Sequence, residues 1–89
     1  MSNLHEECGI FGIFSENRQN VAETVYYGLF ALQHRGQESC GIVVNDDGIF
    51  RDYKDNGLAH EVFTRHVLEN LGPGNMAIGH DRYSTTGAN

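Results

Sequence analysis

The 89 residues carry twelve acidic and six basic side chains, a net charge of −6 with histidine neutral. With 39% hydrophobic and 20% charged residues, the composition suits one small domain or part of one and excludes a disordered chain. No lysine- and arginine-rich run offers a surface for nucleic acid, and no apolar stretch approaches the ~20 residues of a membrane span.

The chain opens on Met1-Ser2-Asn3-Leu4-His5-Glu6-Glu7, acidic and without the basic and apolar regions of a secretory signal, so a cytoplasmic location is expected. Cys8-Gly-Ile-Phe-Gly-Ile-Phe14 follows, a short apolar run whose β-branched and aromatic residues favour a buried strand. Ser15–Asn20 reads as a turn. Asn20, with Glu23 three residues on, resembles a capping box. Val21, Val25, Leu29 and Leu32 then fall on one helical face, and the helix is expected to close at Arg35-Gly36.

Cys40–Val44 predicts a second strand. Asn45-Asp46-Asp47-Gly48 is hairpin-turn chemistry, and Ile49–Lys54 returns as its antiparallel partner. One helix is predicted from about His60 to Leu71, with Val62, Phe63, Val67 and Leu71 as its apolar side. Gly72-Pro73-Gly74 ends it. Met76-Ala77-Ile78 predicts a third short apolar strand, leading into Gly79-His80-Asp81-Arg82-Tyr83-Ser84-Thr85-Thr86-Gly87. The order strand, helix, strand, strand, helix, strand is an α+β pattern, and its apolar faces need more partners than 89 residues provide. The chain therefore reads as a fragment.

Three places could carry chemistry. Cys8 reads either as a packing residue or as a nucleophile. Removal of Met1–Glu7 would leave it a free α-amine with a pKa of roughly 7.7–8.0, a general base on the nucleophile's own residue. Leu32-Gln33-His34-Arg35-Gly36-Gln37-Glu38 reads as a polar helix exit or as a brace for a site, with Arg35 able to pair with a carboxylate. Arg82, at a strand end beside hydroxyls, offers a bidentate fork to a carboxylate or serves an ordinary surface ion pair. Cys40 reads as core, and both cysteines as thiols in a reducing compartment. The five histidines, His5, His34, His60, His66 and His80, lack metal-ligand spacing, so no metal site is expected.

In this order, Cys8–Phe14, Tyr27–Glu38 and Gly79–Gly87 resemble the class II glutamine amidotransferases. The Leu-Gln-His-Arg-Gly-Gln-Glu run and Asn56-Gly57-Leu58…Glu61-Val62-Phe63 are most similar to the branch that uses phosphoribosyl pyrophosphate. The resemblance implies an N-terminal-nucleophile hydrolase αββα sandwich, here incomplete, with residues 1–7 as a propeptide and 8–89 as the first part of the domain. It implies that Cys8 attacks the glutamine side-chain amide. Arg82 would bind the α-carboxylate, with Thr85 beside it, Tyr83 lining the pocket, and His34 and Arg35 in support.

A complete member would pass ammonia to phosphoribosyl pyrophosphate, forming phosphoribosylamine for purine synthesis, and would be a homo-oligomer. It would use Mg²⁺ and, where a propeptide is present, a [4Fe-4S] cluster. Within this chain no cofactor is expected, and no nucleic acid or membrane partner. The fragment alone is expected to be inactive, because the family's oxyanion hole lies in a later loop. The alternative is a non-catalytic relative that binds glutamine or a partner chain. Asp81 and Ala59-His60 depart from the family's usual residues. On a strand, Asp81 would point away from His80 and Arg82, toward the core.

Overall fold

The computed structural model describes residues 8–33 and 37–83. The elements are β1 (Cys8–Gln19), α1 (Val21–Leu32), β2 (Gln37–Asp46), β3 (Ile49–Asn56), α2 (Ala59–Val62), α3 (Arg65–Leu71) and β4 (Gly74–Tyr83). The four strands form one antiparallel sheet in the order β1-β4-β2-β3.

Alternation of side chains gives this sheet two unlike faces. Cys40, Ile42 and Val44 of β2 and Ala77 of β4 meet Val21, Val25 and Leu29 of α1, all buried. Full burial of each large aliphatic side chain contributes about 1.5–3 kcal/mol. Gly79 is where α1 crosses β4: a Cβ there would lie 2.6 Å from Val25 Cγ1 and 2.8 Å from Leu29 Cδ1. Ala59, Val62, Phe63 and Leu71 extend the core across α2 and α3. Among the described residues nothing covers the opposite face, and Ile10, Phe14, Val43, Phe50, Met76 and Ile78 are all exposed on it. Of the αββα sandwich, the described residues thus supply one sheet and one helical layer. The architecture is α+β.

Several boundaries differ from expectation. β1 continues through the polar Ser15–Gln19 stretch, because its backbone pairs with β4 as far as Gln19 opposite Gly74, past an irregularity after Phe14. Asn20 caps α1 by position only. Its side-chain amide donates to Glu23 Oε1 at 3.0 Å instead of capping the helix backbone. The helix closes at Leu32 rather than at Arg35-Gly36, with the Gln33 N–H on Leu29 O at 2.9 Å.

The Asn45–Gly48 hairpin is present. Asp47 and Gly48 take φ of 55° and 93°, the twist that two-residue hairpins favour, and Asn45 Oδ1 accepts the Gly48 N–H at 2.7 Å. The single helix expected over 60–71 is two, α2 and α3, separated at Phe63 and Thr64. Thr64 starts α3 afresh by accepting the Val67 N–H on its hydroxyl, while the Phe63 side chain goes into the core. β4 runs from Gly74 to Tyr83, longer at both ends than the short apolar run Met76–Ile78, and it includes the strand-end position expected for Arg82.

An ion cluster ties the far end of the sheet. Arg18 donates to both oxygens of Asp46 at 2.9 and 3.0 Å. Arg51 reaches the same carboxylate at 3.2 Å and donates to Leu71 O and Pro73 O, each at 2.6 Å. The Gly72-Pro73 turn between α3 and β4 is therefore held by a β3 side chain. Arg18, and after it Arg51, hold the Asp46 carboxyl below the usual carboxylate range against a desolvation that opposes them.

Candidate active site

The register brings two of the three sequence motifs to one end of the sheet. Cys8, the first residue of β1, is the Cα partner of Arg82 in β4. Arg82 is in turn the Cα partner of Ser39 in β2, and Ser39 of Asn56 in β3. Arg82 and His80 point to the open face and are exposed, whereas Asp81 between them is fully buried, with Gly9 and Cys40 as its Cα partners. That reversal is the two-residue alternation expected of a strand.

A depression of about 380 Å³ opens here, lined by Ser39, Cys40, Lys54, Asp55, Asn56, His80 and Arg82. Two of the six lysine and arginine residues of this acidic chain, Lys54 and Arg82, meet at it. Gly41 leaves room for Lys54 and His80 to close over it: a Cβ there would lie 2.9 Å from Lys54 Cβ and 3.1 Å from His80 Nε2. Two cations against the single carboxylate of Asp55, with a planar guanidinium fork at the edge, suit a carboxylate ligand. Sequence reading had no means of finding Lys54 and Ser39 in this recess, because their place depends on inter-strand register.

Tyr83 is placed differently from its expected role. It lies on the covered face, buried, and its hydroxyl donates to Leu32 O at 2.7 Å. It does not line the recess that Arg82 borders but ties the end of β4 to the exit of α1. Cys40 is core, as expected: a buried thiol with Sγ 3.6 Å from Gly57 O. His34, Arg35 and Thr85, together with residues 1–7, expected as a propeptide, lie outside the described residues. Among the described residues no group of three or more His, Cys, Asp or Glu is arranged to hold a metal. With Cys40 buried against a backbone carbonyl, they do not fit an iron–sulfur cluster. No described helix is long and apolar enough to cross a membrane.

Comparison with known proteins adds to this geometry. The chain is 58% identical over 80 residues to the amidophosphoribosyltransferase of Methanocaldococcus jannaschii, covering 90% of this chain and 17% of that protein. It is 48% identical over 87 residues to that of Mycobacterium tuberculosis, covering 98% of this chain and 16% of the relative. A solved structure described as the allosteric regulatory enzyme of purine biosynthesis superposes with a TM-score of 0.77 at 44% identity, over 88% of this chain.

The chain matches the N-terminal region of the amidophosphoribosyltransferases. It spans about one sixth of the length of those relatives and shares the sheet-and-helix architecture of that region. No model of a known protein family matches it.

Proposed function

We infer that this segment is the glutamine-hydrolysing part of an amidophosphoribosyltransferase, and that residues 8–89 begin its class II amidotransferase domain. The observation that carries the reading is the pairing of Cys8 with Arg82 on adjacent strands. Residues directly opposite in an antiparallel ladder have Cα atoms about 4.5–5.5 Å apart. A glutamine gripped by Arg82 through its α-carboxylate therefore has its side chain within reach of the start of β1.

Once Met1–Glu7 is removed, the α-amine of Cys8 takes the thiol proton as sulfur attacks the amide carbon. The same amine returns that proton to the departing nitrogen, and ammonia leaves behind a γ-glutamyl thioester. Water, activated by the freed amine, cleaves the thioester to glutamate and restores the thiol. Thr85 completes the carboxylate grip, and His34 and Arg35 support the nucleophile strand. In the whole protein the ammonia displaces pyrophosphate from phosphoribosyl pyrophosphate, giving phosphoribosylamine. The oxyanion donors for the first step, and any Mg²⁺ or iron–sulfur cluster, are assigned to residues other than those described.

Intact-mass and glutaminase measurements on the protein expressed from its full reading frame test this reading. A mature chain beginning at Cys8 that hydrolyses glutamine, with activity abolished in Cys8→Ala, is expected. A chain that retains Met1–Glu7 and yet hydrolyses glutamine overturns the mechanism, and a processed chain with no glutaminase activity overturns the function.

A further inference from the structure

The Asn56-Gly57-Leu58…Glu61 segment has no part in the chemistry above, yet its backbone is bonded to the start of β2, which borders the recess, and to the exit of α1. Gly57 turns the chain out of β3 with φ of 124°, a conformation L side chains rarely adopt. In that conformation its N–H donates to Glu38 O at 2.9 Å, and its carbonyl meets the Cys40 thiol at 3.6 Å. The Leu58 N–H donates to Glu61 Oε1 at 3.0 Å. The Ala59 N–H, an orphan donor at the start of α2, is accepted by Gln33 Oε1 at 2.9 Å. Gly57 and Ala59 thus link the start of β2 to the exit of α1. On the other side of that exit, the Tyr83 hydroxyl donates to Leu32 O.

The start of β2 is also what Arg82 leans on. Ser39, between the two residues that Gly57 holds, is the Cα partner of both Asn56 and Arg82. We propose that Gln33 and Gly57 are positioning residues for Arg82: together they clasp β2 to α1 and so set where the carboxylate grip stands relative to Cys8. The inference rests on the glutamine-binding reading of Arg82. It explains the residue types in the segment, a glycine for the positive φ, a glutamate for the Leu58 amide, and a glutamine whose reach supplies a distant cap.

The test uses the full-length protein and two variants. Gln33→Met fills similar volume without the acceptor oxygen, and Gln33→Glu restores an acceptor. In Gln33→Met, KM for glutamine is expected to rise by up to about tenfold, the upper worth of one part-buried hydrogen bond, with kcat changed by less than about twofold. Amide hydrogen exchange at Glu38–Cys40 and Ala59 is expected to quicken. Gln33→Glu is expected to return both readouts close to the parent values.

A Gln33→Met enzyme with unchanged KM overturns the proposal, as does a Gln33→Glu enzyme no better than Gln33→Met. If the parent protein hydrolyses no glutamine, the functional reading fails by itself. Exchange then decides the clasp: unaltered exchange in Gln33→Met rejects it, and faster exchange reversed by Gln33→Glu upholds it.

Discussion

Cys8 and Arg82 occupy one rung of the β1–β4 ladder, so the first residue of the first strand stands opposite the penultimate residue of the last. If Arg82 holds the substrate carboxylate, its planar fork matters as much as its charge. In the full-length protein, Arg82→Lys is expected to raise KM for glutamine about tenfold, and Arg82→Met about a hundredfold. Effects on kcat should be smaller. Equal kinetics for the two variants, or a loss confined to kcat, would remove the carboxylate role from Arg82.

Arg51 and Arg18 share Asp46 and are not equivalent. Arg51 is the less exposed, and it holds two backbone carbonyls at the turn before β4. Arg51→Met leaves those acceptors without their charged donor and is expected to cost about 1.5–3 kcal/mol in denaturant unfolding. Arg18, with 61% of its side chain exposed, makes a solvent-screened pair, and Arg18→Met is expected to cost clearly less. The reverse ranking would mean that the turn needs no clamp.

Asp46 also fixes a pH dependence. Its carboxyl is held low in the folded protein by Arg18 and Arg51, against about 3.9 when unfolded. A depressed carboxyl contributes stability that is present above the unfolded value and lost as pH falls through the folded one. Thermal stability is therefore expected to fall with acidification below about pH 5. Asp46→Asn should start from a lower midpoint at neutral pH and show a shallower acid loss. Parallel pH profiles for the two proteins would refute the assignment.

The close approach of α1 to β4 at Gly79 gives a packing prediction. Gly79→Ala forces its methyl against Val25, a β-branched residue with little rotamer freedom, and is expected to cost about 1–3 kcal/mol. Adding Val25→Ala should recover part of that loss, so a double-mutant cycle is expected to show coupling. Strict additivity would place the strain elsewhere.

Where local rules governed, the sequence was readable. The face Val21, Val25, Leu29 announced α1, Asn45–Gly48 announced its hairpin, and alternation put Asp81 opposite to Arg82. Where a long-range partner governed, it was not. Val62, Phe63, Val67 and Leu71 keep helical spacing across a break, and the cap at Thr64 is visible only once Phe63 is seen to turn into the core. The polar Ser15–Gln19 stretch is strand because β4 lies alongside. Tyr83 follows Arg82 in sequence but faces the other side of the sheet, so adjacency in the motif did not mean adjacency in the site. Lys54 and Ser39 join the recess through register, which no single segment encodes.

β4 is last of the four strands along the chain and yet lies inside the sheet, between β1 and β2. During synthesis β1 therefore lacks its β4 partner until the chain has reached Gly74, 55 residues past Gln19, whereas the β2–β3 hairpin can close by itself. Arrival of Gly74–Tyr83 joins the two halves in a single step of high sequence separation, a slow kind of closure. The same step creates the Cys8–Arg82 pairing, so assembly of the sheet and assembly of the site are one event on the folding pathway.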